Sequence, residues 1–245
     1  MQLSRDNTLV VIPAFNEGHT IGSVVRDVLR LGFKCLVVSD GSTDQTSERA
    51  FDQGAVVVEL PINLGVGGAL RCGFRFALEQ GYQAVIQVDA DGQHNVDDVQ
   101  HLISAANNDS ADMVIGSRFG ALDSFKARSK SRLVVMKILA STVNSVSDVR
   151  ITDSTSGFRL IRYQLLTQLA SNMPSYYLGD TFETLWATLR AGYRVSEIET
   201  KMASRQFGES SVSSPKCIWI LIKIAAQTAL GMGFKLENQT GAKSH

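Results

Sequence analysis

Within Gln87-Val88-Asp89-Ala90-Asp91-Gly92-Gln93-His94, two carboxylates, an amide and an imidazole follow directly on the apolar run Tyr82 to Ile86, which has the length of a buried strand. Asp89 and Asp91 are two apart, so persistence of the strand conformation would put both on one side. Carboxylates sharing a side repel unless a cation lies between them. A hard divalent ion completed by a diphosphate meets that need, with Gln93 as a further oxygen ligand. The tripeptide alone carries little, since 15 Asp in 245 residues yield roughly one Asp-x-Asp by chance. Its context distinguishes it: a strand before, Gln93 within and Asn95 opening a helix after.

The flanking elements alternate. Thr8 to Ile12 is a short β-branched run that Pro13-Ala14-Phe15-Asn16-Glu17-Gly18 breaks into a loop, and Ile21, Val24, Val25, Val28 and Leu29 then recur at helical spacing up to Gly32, with Thr20 placed to cap. Cys35 to Val38 is a second strand, Ser39 to Asp44 a turn, and a helix runs from about Thr43 to Gln53, where Ser42 and Gln45 have capping-box spacing. Ala55 to Leu60 and a helix carrying Leu70, Phe74, Ala77 and Leu78 come next. The acidic stretch follows, then a helix from Asn95 and a strand from Asp112 to Ile115. Such alternation predicts a doubly wound, mostly parallel α/β sheet with its loops gathered on one edge. Ligands of such sheets bind beyond the carboxyl ends of the strands.

Composition describes an ordinary globular chain: 44% hydrophobic residues and a formal net charge of +0, with no electrostatic footprint for nucleic acid. Cys35, Cys72 and Cys217 are odd in number and widely spaced, so neither a disulfide framework nor a zinc site is indicated and a reducing cytosol fits. The first apolar run, Leu9 to Ile12, is too short for a signal peptide.

From Ser117 the pattern changes. Lys126, Arg128, Lys130, Arg132 and Lys137 fall in a span without acids, either a solvated basic face or a site for phosphates or anionic lipid. A helix from Thr181 to Ala191 and an alternating strand from Val195 to Met202 follow. The domain division is 1–212 for a catalytic unit and 213–245 for an appended helix and polar tail. That helix starts at Ser214-Pro215 and is apolar from Ile218 to Phe234 except for Lys223, Gln227 and Thr228. Its narrow polar stripe suits a helix lying in a membrane interface; packing on a second subunit in a homo-oligomer, or spanning, are the alternatives.

If the loops converge, Glu17 and Asp40 share a crevice with Asp89 and Asp91, where carboxylates could accept hydrogen bonds from a base or ribose. Taken alone, Glu17 also suits a helix start and Asp40 an Asx turn.

Val11-Ile12-Pro13-Ala14-Phe15-Asn16-Glu17, Ser39 to Asp44, Asn63-Leu64-Gly65, Asp89 to His94, Gly116-Ser117-Arg118-Phe119, Ser156-Gly157-Phe158-Arg159 and Gly208-Glu209-Ser210-Ser211 stand in an order that resembles family-2 glycosyltransferases, above all the polyprenyl-phosphate hexosyltransferases related to dolichyl-phosphate mannose synthase. The resemblance spans roughly residues 8 to 212. It implies a glycosyltransferase A-type fold, a nucleotide-sugar donor and inversion at the anomeric carbon. By position, Pro13, Ala14, Glu17, Asp40 and Asp89 would contact the nucleotide, and Asp89, Asp91 and Gln93 would hold Mg²⁺ or Mn²⁺. Arg118 and Arg205 would bind phosphate oxygens, and Arg132, with Arg128 as the competing choice, would meet the acceptor phosphate. With Asp91, these three arginines are the implied catalytic set. Asp153 and Glu183 match recurrent acidic positions. Ser39 stands where many relatives have Asp, and Ser154 where many have Pro.

A hydroxyl acceptor needs a general base, whereas a phosphomonoester with a second pKa of about 6 is already largely ionised. Several arginines and no clear base pair in the second half favour a polyprenyl-phosphate acceptor at the cytoplasmic face of the membrane, with peripheral attachment. The competing expectations are transfer to a sugar or protein hydroxyl with Asp153 or Glu183 as base, a sugar nucleotidyltransferase, and a catalytically silent binding subunit.

Overall fold

A computed structural model describes residues 1–118, 138–175, 179–201 and 233–239. In chain order the elements are β1 (Thr8–Ala14), α1 (Ile21–Arg30), β2 (Lys34–Asp40), α2 (Thr46–Asp52), β3 (Val56–Leu60), α3 (Val66–Glu79), β4 (Ala84–Gln87), a 3₁₀ turn (Val96–Asp98) leading into α4 (Val99–Asn108), and β5 (Met113–Ser117). Helical residues 138–144 (α5) follow, then β6 (Arg159–Arg162), α6 (Tyr163–Asn172), a π turn (Gly179–Glu183), α7 (Thr184–Arg190) and β7 (Val195–Glu199).

The strands form one seven-stranded sheet in the order β3-β2-β1-β4-β6-β5-β7. Every pairing is parallel except those of β6, which runs antiparallel to both β4 and β5. This is the expected doubly wound, mostly parallel sheet, with one reversed strand inside it. The chain winds outward from β1 to β3, then crosses back to place β4 on the other side of β1. β1 and β4 therefore flank the topological switch point, where diverging loops leave a crevice.

Alternation within the strands feeds two cores. Val11, Val85, Met113 and Ile161 face α3 and α6, and Val10, Ile86, Val114 and Leu160 face α1 and α4. Phe74 of α3 is fully buried at the centre of the first layer. All four of Ile21, Val24, Val25 and Val28 in α1 are buried, as their spacing predicts.

Two caps differ from expectation. Thr20 has helical backbone angles, and its hydroxyl donates back to the Glu17 carbonyl (3.2 Å) and to Glu17 Oε2 (3.1 Å) rather than accepting from the helix. In the second loop Asp44 accepts from Thr46 N (3.0 Å), while Ser42, freed from capping, accepts from Asn16 N (3.1 Å) in the first loop. Residues 233–239 return to the domain. Phe234 and Leu236 pack on the first core layer, and Gln239 N donates to the Ala191 carbonyl at 2.9 Å.

Replacing Phe74 by Ala is expected to cost about 3–5 kcal/mol of unfolding free energy. Urea denaturation measures it, and a loss below about 1 kcal/mol would mean that α3 does not carry the first core layer.

Candidate active site

β1, β2 and β4 are parallel neighbours, so the loops bearing Glu17, Asp40 and the Asp89–Asp91 pair all leave the same edge of the sheet. The first two loops are fastened to each other. Glu17 N donates to Thr46 Oγ1 (2.9 Å), Gly18 N to Asp44 Oδ2 (2.9 Å), Thr43 N to Asn16 Oδ1 (2.8 Å), and Arg49 Nη1 to the Gly18 carbonyl (2.7 Å). Asn16 sits at φ 54°, in the left-handed region that asparagine tolerates. Asp40 is buried, and its Oδ1 accepts from Leu64 N at 2.7 Å, which draws the β3–α3 loop to the same place. Pro13 and Ala14 end β1 as buried residues opposite Val38 and Ser39.

β4 ends at Gln87, so Asp89 and Asp91 are not held by continued strand alternation. A turn holds them instead. Asp91 Oδ1 accepts from Gln93 N (3.0 Å), and Asp89 Oδ2 is 2.9 Å from His94 Nε2. The His94 ring is buried and stacks on Phe158 with centroids 5.0 Å apart. Burial pushes the Asp89 carboxyl up, but the hydrogen bond and charge of His94, then Arg118 and Gln87, bring it below the ordinary carboxylate value. Gly157 closes the other side: a Cβ there would lie 2.9 Å from both Asp89 oxygens.

Because β6 is reversed, the segment 152–158 enters the sheet from the crevice edge, and there it meets Arg118 at the end of β5. Arg118 Nε and Nη2 clasp Asp153 at 2.6 and 2.8 Å, and Nη2 also donates to Thr155 Oγ1 at 2.9 Å. Asp153 is fully buried, and Arg118 keeps a fifth of its side-chain surface exposed. Burial would lower the Arg118 pKa, but Asp153 first and then Asp89 and Asp91 raise it, so this guanidinium lies within the field of the aspartate pair. Arg118 thus arrives at the crevice with two nitrogens already committed to Asp153.

Arg159 is buried below this layer. Its nitrogens donate to the carbonyls of Ser156 (2.7 Å), Thr181 (2.8 Å) and Ser154 (3.1 Å). Burial pushes its pKa down to about 10, with Asp180, Asp153 and Asp89 opposing, so it stays charged at neutral pH. Glu183 is buried and accepts from Phe234 N at 2.5 Å.

Asp89, Asp91 and Gln93 are thereby brought together, with Glu17 and Asp40 on the same edge. Arg132 and Arg205, with the basic span from Lys126 to Lys137, lie outside the described residues. The contacts of His94 and Gly157 with Asp89, and the pairing of Asp153 with Arg118, were not assigned from the sequence pattern. His94 and Gly157 were within quoted motifs, and a signal for their roles would have needed the partner across the sheet. Among the described residues no cluster of three or more His, Cys, Asp or Glu is arranged to hold a metal. The donor set still fits Mg²⁺ or Mn²⁺. It offers hard oxygens, with Asp89 oriented by an imidazole, and such ions are commonly bound by one or two carboxylates plus the phosphates of a substrate.

A doubly wound sheet with paired carboxylates at its switch point suits a phosphate-bearing ligand held through a cation, and comparison with known proteins narrows the class. Residues 9–169 match the model of glycosyl transferase family 2. The chain is 28% identical over 230 residues to a polyprenol monophosphomannose synthase of Mycolicibacterium smegmatis, covering 89% of this chain and 85% of that one. It is 30% identical over 215 residues to an undecaprenyl-phosphate mannosyltransferase of Micrococcus luteus, covering 84% and 87%. Its fold resembles glucosyl-3-phosphoglycerate synthase of Mycobacterium tuberculosis, crystallised with Mn²⁺, uridine diphosphate and phosphoglyceric acid, at a TM-score of 0.70 and 22% identity over 92% of this chain and 79% of that one. The chain belongs to glycosyl transferase family 2, with a glycosyltransferase A-like fold. Glycosyl transfer is the activity these likenesses support.

Burial alone would push the Asp153 carboxyl up, but the Arg118 fork and charge outweigh it and hold the folded-state value below the ordinary one. Its stabilising contribution is therefore complete above the unfolded-state value of about 3.9 and is lost as pH falls through the lower folded-state value. Asp153→Asn is expected to cost about 3–5 kcal/mol near pH 7, with the gap to the parent narrowing below about pH 4. Denaturant midpoints measured across this range check it; a gap as wide in acid as at neutrality would contradict the ion pair.

Proposed function

We propose that the protein transfers a hexose from GDP-mannose or a UDP-hexose to a polyprenyl phosphate, with inversion at the anomeric carbon. The observation that carries the acceptor class is the state of the two carboxylates able to serve as base for a hydroxyl acceptor. Asp153 is buried, ion-paired with Arg118 and acidified, and Glu183 is buried and accepts a backbone N–H. A general base works best with a pKa near the operating pH, which Asp153 lacks. A phosphate acceptor needs no base, only cations to place it. The names of the relatives in M. smegmatis and M. luteus support the same acceptor class.

In this reading Pro13, Ala14, Glu17 and Asp40 form the nucleotide side of the crevice. Asp89, Asp91 and Gln93 hold the divalent ion, whose chemistry is to neutralise the diphosphate of the leaving group. Arg118 supplies positive charge beside that diphosphate, and Arg132 and Arg205 place phosphate oxygens of acceptor or donor. An acceptor phosphate oxygen attacks the anomeric carbon in line. The bond from that carbon to the diphosphate breaks, and the nucleoside diphosphate leaves with the electron pair.

Attachment to the cytoplasmic face of a membrane belongs to the same proposal. Among the described residues no helix is long and apolar enough to cross a membrane. The apolar stretch from Ile218 lies outside them, but its flanks are informative. Lys201 follows β7, on the edge that carries the crevice, and its N donates to Asp98 Oδ2 at 3.1 Å. At the other flank Phe234 is bound to Glu183, beside the turn that holds Arg159. Lys201 and Phe234 are each tied to the sheet domain, and the proposed interfacial helix lies between them in the sequence.

The test is incubation with labelled nucleotide sugar and polyprenyl phosphate. Label is expected in the organic phase, and Asp91→Ala is expected to reduce transfer by at least about 100-fold. Label appearing only in water-soluble products would overturn the acceptor assignment. A Trp219→Asp, Ile222→Asp variant is expected to lose sedimentation with anionic vesicles while keeping its thermal midpoint within about 2 °C; undiminished sedimentation would count against the interfacial role.

A further inference from the structure

Glu197 lies midway along β7, paired with Ile115 of β5 and away from the loops that form the crevice. Its carboxylate nevertheless takes three hydrogen bonds from the segment leading into β6. Oε2 accepts from Thr152 N (2.8 Å) and Thr152 Oγ1 (3.0 Å), and Oε1 accepts from Asp153 N (2.8 Å). A carboxylate only accepts, so the Thr152 hydroxyl proton is committed to Glu197. Ser117 Oγ is then the donor in its 2.8 Å contact with Thr152 Oγ1. Ser117 immediately precedes Arg118, and Asp153 immediately follows Thr152. Glu197 thus grips the Thr152–Asp153 backbone directly and reaches the Ser117 side chain through the Thr152 hydroxyl, next to the Arg118–Asp153 fork.

The chemistry of the grip requires this residue type. The two consecutive backbone N–H groups are each met by a separate carboxylate oxygen, and Oε2 also takes the Thr152 hydroxyl. Glutamine offers one oxygen and an amide that would face the second N–H, donor against donor. Aspartate keeps both oxygens and the charge but reaches less far. We propose that Glu197 is a positioning residue for glycosyl transfer: by holding the Thr152–Asp153 turn it sets where the Arg118 guanidinium stands relative to Asp89 and Asp91. The proposal rests on the glycosyl-transfer reading for its kinetic consequence, and its structural consequence can be measured without it.

A brace that merely stabilises the sheet would lower the melting temperature without changing turnover of the folded enzyme. The experiment separates these roles with Glu197→Gln and Glu197→Asp, assayed at a temperature where circular dichroism shows both folded. Turnover on nucleotide sugar and polyprenyl phosphate is expected to fall on the order of 10- to 100-fold in Glu197→Gln, with a smaller loss in Glu197→Asp. Amide exchange at Thr152 and Asp153 is expected to accelerate, and the Arg118 Nε resonance to shift. In an Arg118→Lys background the Glu197→Gln effect is expected to shrink to about threefold or less, because both substitutions act on one guanidinium. Unchanged turnover in the folded variants would overturn the proposal, as would an equal fold-loss in both backgrounds. If Glu197→Gln does not fold, Glu197→Asp is judged by the same criteria. If the parent protein transfers to no acceptor, the functional reading fails, and unchanged exchange and Arg118 signals in the variants would then overturn the positioning role by themselves.

Discussion

Asp89 and Asp91 concentrate negative charge at the end of β4, and the surrounding structure is arranged to make that concentration tolerable. His94 bonds one Asp89 oxygen, and the charge of Arg118 reaches both aspartates. Arg118 is itself fixed by Asp153, and that turn is fixed by Glu197. Each link is a charged or polar group partly removed from water, where an unmatched partner costs far more than a matched one gains. Order therefore propagates from β7, at the far edge of the sheet, inward to the crevice.

The reversed strand β6 makes this possible. In an all-parallel sheet the segment before a strand starts at the edge opposite the ligand crevice. Reversal lets residues 152–158 enter at the crevice edge, bringing Asp153 to Arg118 and the bare backbone of Gly157 against the Asp89 carboxylate. Arg159 secures the approach from beneath by gathering carbonyls that would otherwise be buried without donors. On the other side of the switch point, the β1 and β2 loops satisfy each other's backbone groups. The side of the crevice proposed for the nucleotide is thus held by bonds within the protein itself.

The first half of this fold was legible because its signals are local. Apolar runs of strand length, helices closed by glycine, and polar residues at strand ends locate β1 to β5 and α1 to α4 within a few residues. The arrival of Glu17 and Asp40 at the edge that carries Asp89 and Asp91 was legible for the same reason: parallel strands send their following loops to one edge. The aspartate pair itself was expected from continued strand alternation, and a turn holds it instead. The segment from Arg159 to Asn172 was not. Arg-Leu-Ile-Arg is too short and too charged at its ends to announce a central strand, and its direction is set by pairing with β4 and β5, far away in sequence. Glu197 was invisible for a related reason: nothing in its own strand shows what its carboxylate meets. Its meaning depends on Thr152 lying across from it. Capping misread Ser42 because the competing partner, Asn16, comes from another loop.

In the proposed reaction the carboxylates at the crevice hold a cation only jointly with the diphosphate of a sugar nucleotide. Calorimetric titration of nucleoside diphosphate with and without Mn²⁺, and of Mn²⁺ with and without nucleoside diphosphate, measures it most directly. Each ligand is expected to tighten the other by the same factor, on the order of 10-fold or more, and Asp89→Ala is expected to remove this coupling. Equal nucleotide affinity in the presence and absence of the metal would contradict it.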